Sequence, residues 1–464
     1  MCDHTDSITK LKMASSENYD QNKRGWIMVA TMFVCYLVVY GNLKALGVLL
    51  IPMTNDLDSD MWLVGWVLVF FGIMHHSMGP IVGAACRLLG SRPMMVLGGL
   101  LSTLGIMLTS ISTSVLALTI VIIGLAGIGS ALCLFISFAV MATYFKEKYA
   151  LAVGISTLGV PVSTMVYGPM TQVLLDTYGW RRTMLLLGGV SFHLVACAML
   201  MRRNPSSSSP DTEQYQEVPV SDEDEGKEWR EGRICLNKTD TDGRSCSDQD
   251  HCARARQYCR LIMEAMDFAL LADVRFVLLT GANSAGNFTY YAWLVYMVSH
   301  GQFQGLSSTQ ASFLPTAFGV GNAIGKLIVP LFQQVGIKPS MTFWGCFGAS
   351  LVCVSLLLDA FVRPFIGQLA LTGLVGVGYG VMFQAIDVMS RFITTDDRLV
   401  SVLGWQGLLS GVGGTLGGLI AGQIYEWTGS FSVALCLFAG MILLSIPLLV
   451  IEALYSKRKA SVGQ

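Results

Sequence analysis

Apolar residues along this chain gather into twelve runs, each near the ~20 residues that an α-helix needs to cross a bilayer core. The first six extend from Trp26 to Leu50, Trp62 to Ala84, Met94 to Ile111, Val115 to Ala142, Ala150 to Leu174 and Thr183 to Met201. The second six extend from Val274 to Val298, Thr309 to Phe332, Met341 to Ala360, Pro364 to Asp387, Leu399 to Gln423 and Phe431 to Leu454. Backbone in hydrocarbon must satisfy its own hydrogen bonds, so these runs are expected to be helices and not isolated strands. The pattern predicts an all-α membrane protein with a hydrophilic tail (1–25), a six-helix bundle (26–201), a polar linker (202–272), a second six-helix bundle (273–454) and a short tail (455–464).

Three landmarks recur in register between the two groups. Gly90-Ser91-Arg92-Pro93 is echoed by Gly336-Ile337-Lys338-Pro339, and Gly124-Leu125-Ala126-Gly127-Ile128-Gly129 by Gly373-Leu374-Val375-Gly376-Val377-Gly378. Asp176 followed by Gly179 is echoed by Glu426 followed by Gly429. Each pair falls at the same ordinal place: loop two-to-three, span four, end of span five. Twelve spans in two parallel six-helix repeats resemble the layout of the major facilitator fold, whose members bind a solute between their halves.

Composition sharpens the class. Hydrophobic residues are 53% of the chain and charged ones 13%, about half the charge fraction of a water-soluble protein. Lys and Arg in short loops set orientation. Lys23, Arg24, Arg87, Arg92, Lys146, Lys148, Lys338, Arg391, Arg398 and Lys457-Arg458-Lys459 fall on one side, and Asp56, Asp58 and Asp60 on the other. Arg181 and Arg182 are exceptions. The balance predicts a multi-pass protein of the plasma membrane with both termini and the central linker cytosolic. The first 24 residues lack an apolar core followed by a small-residue cleavage site, so a cleaved signal peptide is not expected.

The linker holds Ser206 to Ser209, the acidic run Asp222 to Glu225 and the basic patch Arg254 to Arg260, and reads as a disordered tether. Phospho-regulation or partner binding is the alternative. The sequon Asn237-Lys238-Thr239 is expected to stay unused on the cytosolic side. Of the 12 cysteines, several lie inside spans and others in cytosolic segments, where thiols stay reduced. Cys246, His251, Cys252 and Cys259 lack the Cys-x2-Cys knuckle of a zinc site, so no metal is expected. No cofactor motif or nucleophile–base pattern appears, which argues against an enzyme. A formal net charge of −1 offers no sign of a nucleic-acid partner, and none is expected.

Charges inside the spans carry the candidate chemistry. Lys44 lies in the first span, and an ionised lysine near the bilayer centre costs ~2.5–3.5 kcal/mol on insertion scales. A water-filled cavity and an anionic partner would offset that cost; snorkelling to the interface is the alternative. Tyr40 lies one turn earlier on the same face and can offer a hydroxyl to a carboxylate. Asn322 and Lys326, also one turn apart, form a polar stripe in the eighth span. His75 and His76 interrupt the second, and either could carry a proton. Asp387, near Arg391, reads as half of a local ion pair at the cytosolic mouth. Two separated cations without a matching intramembrane acid favour an anionic solute. The glycine faces Gly414/Gly418/Gly422 and Gly321/Gly325 read as close helix packing.

Tyr144-Phe145-Lys146-Glu147-Lys148-Tyr149-Ala150-Leu151-Ala152-Val153-Gly154 resembles the signature that opens the fifth span of monocarboxylate transporters: Tyr-Phe, a basic cluster, Leu-Ala-x-Gly, then another glycine, here Gly159. Arg24-Gly25-Trp26 is similar to the tail of that family's first signature, and Gly422-Gln423-Ile424-Tyr425-Glu426-Trp427-Thr428-Gly429-Ser430-Phe431 to the end of its eleventh span. Gly305-Leu306-Ser307 with Ala311-Ser312-Phe313-Leu314, and Gln406-Gly407, fit as well. The resemblance covers both halves. It implies a secondary carrier of small organic acids, proton-linked or facilitative, working by alternating access, and sometimes accompanied by a single-span immunoglobulin-type chaperone. It implies that Lys44 is the substrate or proton group, that His76 is a pocket residue, and that Thr280, Tyr379 and Phe383 line spans seven and ten.

Departures limit what carries over. Proton-coupled members have Asp and Arg where this chain has Asn322 and Lys326. Asparagine cannot take up and release a proton, and lysine lacks the bidentate fork of arginine. The family's Lys-Arg-Arg cluster reads Glu147-Lys148-Tyr149. These changes argue against lactate–proton symport of the usual kind. Facilitated transport of another metabolite, or proton coupling through Lys44, His75 or His76, is expected in its place. Two rivals stand beside the organic-acid reading: a carrier of a zwitterionic or neutral solute such as an amino acid or amine derivative, and a non-transporting receptor on a carrier fold.

Overall fold

Long apolar rods joined by short polar turns make up the computed structural model, which describes residues 23–146, 148–201, 266–337, 339–393, 398–428 and 431–462. The first rod, α1, is Lys23–Asp56. In α2, Met61–Ser77 continues after a bend of 42° as Gly79–Leu89. Ser91–Thr109 forms α3 and Val115–Ala142 forms α4, which includes the π-helical stretch Ile120–Gly127. Gly179, at φ 74°, turns the chain between α5 (residues 149–178) and α6 (residues 180–200); a side chain there would be strained. The second set is α7 (Val274–Phe303), α8 (Leu314–Gln334), α9 (Met341–Asp359), α10 (Phe365–Arg391), α11 (Leu399–Thr428) and α12 (Phe431–Leu443, continued by Ser445–Val462).

Among the described residues, nine helices are long and apolar enough to cross a membrane, and the bent α2 makes a tenth. One of the nine, Tyr149–Leu200, holds two rods because of the Gly179 turn. The α7 rod falls outside the ten; it is 30 residues long but carries Asn283 and Asn287 in its middle. Most of the linker, the sequon and the Cys246–Cys259 cluster lie outside the described residues, as do Glu147, Lys338 and Gly429.

The apolar cores show how the rods group. On the face where α1 ends, one core joins α1–α6 through Leu46, Phe71, Ile106, Ile122, Tyr167 and Trp180, all first-half residues. A second-half core gathers Trp293, Phe318, Val352, Tyr379, Phe438 and Leu449. On the face where α1 begins the halves merge. Val388, Leu399 and Leu403 of the second half join the core built on Met32, Cys133 and Tyr149 of the first.

Backbone contacts complete that seal. Gly79 of α2 sits against Gly404 of α11 so closely that a Cβ on either would overlap the other's backbone. A Cβ on Gly154 of α5 would stand 3.0 Å from the Lys326 carbonyl oxygen of α8. The Gln384 amide donates to the Ala150 carbonyl across the halves at 2.7 Å. The bundles are thus packed together toward one face and keep separate cores toward the other.

Polar ties staple the rod ends. Arg181, one of the two charge exceptions, donates to Asp56 at 2.7 Å and to the carbonyls of Ser110 and Ser112 at 2.9 Å each. A cation is therefore tolerated on that face because it ties its own rod to the end of α1 and to the turn after α3. His300 and Asp359 form a buried pair between the ends of α7 and α9, at 2.9 Å. Arg275 and Glu452 join α7 to α12 at 3.0 Å, and Arg398 reaches Asp267 at 2.6 Å.

Candidate functional site

Where the bundles meet, eight rods surround a cavity of ≈ 180 Å³. Its wall is built from side chains one helical turn apart, because residues i and i+4 share a helix face. Tyr36 and Tyr40 come from α1, Asn283 and Asn287 from α7, Asn322 and Lys326 from α8, Phe383 and Asp387 from α10, and Gln406 and Ser410 from α11. Adjacent His75 and His76 come from α2, with Phe135 and Phe138 of α4 and Thr157 and Val160 of α5 closing the wall. Each polar pair interrupts an otherwise apolar rod, so the polar groups of these rods face the seam.

Hydrogen bonds fix several of these groups. His76 Nδ1 lies 2.9 Å from the Gly72 carbonyl oxygen, which can only accept, so Nδ1 carries the proton in the neutral ring. Nε2 is then a lone pair, and two hydroxyls reach it: Tyr40 at 3.4 Å from the first half and Tyr291 at 3.3 Å from the second. His75 Nδ1 is held in the same way by the Phe71 carbonyl at 3.1 Å. The Asn283 amide donates to Ser410 Oγ at 2.9 Å, and the Asn287 amide to the Asn283 carbonyl at 2.9 Å. Ser390 donates to Gln406 Oε1 at 2.9 Å.

Of the residues expected from sequence, Tyr40, His75, His76, Asn322, Lys326 and Phe383 line the cavity. Lys326 is 6% exposed and Asn322 3%, so the charge belongs to the cavity wall and not to a rim. Lys44 stands one turn beyond Tyr40, half-buried, and is not part of the lining. Tyr379 is fully buried behind Phe383, the two rings stacked with centroids 5.6 Å apart. Thr280 is buried three residues before Asn283, outside the lining.

One expectation is overturned. Asp387 is not at a mouth; it lines the same cavity as Lys326. The ±4 spacing along α10 gives it two neighbours, Phe383 and Arg391, and the face it shares with Phe383 is the one turned to the seam. Arg391 lies over the Tyr149 ring at 5.0 Å. The premise of two cations without an intramembrane acid therefore fails. Sequence reasoning also missed Asn283, Asn287, Tyr290, Tyr291, Gln406 and Ser410. The signal was present, as polar or aromatic pairs repeating at i and i+4 inside apolar rods. Among the described residues no group of three or more His, Cys, Asp or Glu side chains is arranged to hold a metal.

Comparison with known proteins places this geometry. The family model described as Major Facilitator Superfamily matches residues 32–245 and 276–464. Monocarboxylate transporter 13 of Rattus norvegicus is 26% identical over 426 residues, covering 91% of this chain and 87% of the relative. Monocarboxylate transporter 12 of the same species is 26% identical over 445 residues, covering 93% and 86%. Among solved structures, the human organic anion transporter MFSD10 superposes with a TM-score of 0.65 at 15% identity, covering 92% of this chain and 100% of that one. The E. coli fucose:proton symporter superposes with a TM-score of 0.61 at 12% identity, covering 92% and 99%. Both structures share the fold.

Proposed function

This chain belongs to the Major Facilitator Superfamily and is a monocarboxylate-transporter-like membrane carrier, not an enzyme; from that premise we propose that it moves a small organic acid by alternating access. The observation that carries this reading is Lys326, a buried ammonium on the wall of a cavity shared by both halves. A buried charge is tolerated where it is paired or hydrated, and a solute carboxylate is a partner of the right sign and size. Asn322, one turn away, adds an amide. The names of the relatives supply the same class of solute.

The halves share an apolar core toward the face where α1 begins, and the core toward the other face is built from the first half alone; we read this as the end state of a rocking cycle that is open toward the second face. On this reading the described state accepts solute from the side opposite the chain's basic loops, which we assign to the outside of the plasma membrane. Lys44 lies on that approach, one turn outward of Tyr40, and among the described residues it has no salt-bridge partner. We assign it a steering role for anions entering the seam. Lys44→Gln is then expected to slow uptake severalfold at low ionic strength and much less at high salt, since screening already removes long-range attraction there. Equal slowing at both salt levels would assign Lys44 a direct contact with the solute.

We assign proton coupling to His76, whose ring nitrogen is reached by a tyrosine from each half. The test is uptake of labelled acetate, pyruvate and lactate into proteoliposomes at two external pH values. His76→Gln keeps a polar side chain but cannot bind a proton, so it is expected to flatten whatever pH dependence the wild type shows. An unchanged pH profile would remove His76 from coupling. Absence of flux for every acid in the panel would remove the organic-acid reading.

A further inference from the structure

The cavity wall holds both signs of charge. Lys326 of α8 and Asp387 of α10 line it together, on two rods packed backbone to backbone in the second half, where a Cβ on Gly325 would stand 3.0 Å from Gly380 Cα. In the empty cavity Asp387 is a counter-charge for Lys326; once a solute carboxylate takes up Lys326, a fixed carboxylate beside it in a low-dielectric cleft repels the solute unless the solute brings a positive charge of its own. Aromatic rings crowd the same space. Tyr290 lies 5.5 Å from Phe383 and 5.4 Å from Tyr291, and Tyr36 lies 5.8 Å from Tyr40, ring centre to ring centre. Such faces attract cations through their quadrupoles, and most strongly when water is excluded.

We propose that the solute is an organic acid that also carries a cationic nitrogen, and that Asp387 is the residue that selects for it. The solute's carboxylate meets Lys326 and the Asn322 amide, and its ammonium meets Asp387 and the faces of Phe383 and the tyrosines. A solute with both charges restores a complement to each wall group, whereas a hydroxy acid of the same shape leaves Asp387 facing an uncharged hydroxyl and a like-charged carboxylate. The proposal rests on the reading that this chain carries an organic acid bound at Lys326.

Matched pairs that differ only in a hydroxyl or an ammonium on one carbon test it. Proteoliposome uptake is measured for labelled lactate against alanine, 3-hydroxypropionate against 3-aminopropionate, and 4-hydroxybutyrate against 4-aminobutyrate, so that charge separation is sampled as well. In the wild type the amino member of at least one pair is expected to enter about tenfold faster or more, the discrimination a single charge-assisted contact supplies. Asp387→Asn is expected to erase most of that ratio and Asp387→Glu to keep part of it, with detergent-solubilised melting temperatures checking that both variants fold. Hydroxy acids entering as fast as their amino partners in the wild type would overturn the selection by Asp387 and leave the organic-acid reading standing. So would an amino preference that survives Asp387→Asn. No uptake of either member of any pair would overturn both.

Discussion

Lys326→Gln is expected to lower uptake of the carried acid by about 10–100-fold, the loss of one charge-assisted hydrogen bond of ~1.5–3 kcal/mol, while the protein still reaches the membrane. Lys326 is buried on the cavity wall, beside an amide and across from a carboxylate. Glutamine is one atom shorter and keeps a donor but removes the charge, so the solute's carboxylate loses its counter-ion in a place where water cannot fully replace it. Asp387 loses its opposite charge in the same step. Lys326→Arg keeps the charge in a different shape and is expected to retain a substantial fraction of uptake. A purely structural lysine would show the reverse pattern: a lowered melting temperature in Lys326→Gln that accounts for the loss through reduced surface expression. Uptake per molecule at the surface, measured with a tagged protein, separates the two.

Gly79→Val is expected to abolish most transport by a different route. A side chain at Gly79 overlaps the backbone of Gly404, and backbone cannot rotate aside as a side chain can. The face where α1 begins could then no longer close as it does here, and the carrier would be held with that face open. Gly404→Val meets the same backbone from the other half and should behave alike. Gly418→Val is the control, since a Cβ there meets nothing within 4 Å. Spin labels at Arg92→Cys and Phe392→Cys, both exposed near the sealed face, report the gap. The short-distance population should vanish in Gly79→Val and persist in Gly418→Val. Normal transport by Gly79→Val, with the short distance intact, would show that this contact is not part of the cycle.

The rods were legible in the sequence because the bilayer sets a length and loop residues punctuate it. The π-helical stretch in α4, the bend in α2 and the exact ends of the rods depend on packing between neighbours, which a hydropathy pattern does not contain. The cavity was half legible. Tyr40 has polar or aromatic company both one turn before, at Tyr36, and one turn after, at Lys44. Sequence reasoning chose Lys44 because a charge in hydrocarbon draws attention, yet it is Tyr36 that shares the cavity wall with Tyr40. Asp387 posed the same ambiguity between Phe383 and Arg391, and the facing rod α8 decided it. The approach of Tyr291 to His76 spans 215 residues and both halves, so no local pattern could announce it. Arg181 looked like a violation of charge sidedness until Asp56 and two loop carbonyls were found around it.

Where the solute sits is the claim on which the rest depends, and a structure of the carrier with a transported acid bound would test it most directly. Density for the carboxylate is expected within about 3 Å of Lys326 Nζ, in the seam between α8, α10, α1 and α7. Density seated elsewhere, with Lys326 directed away from the acid, would contradict it.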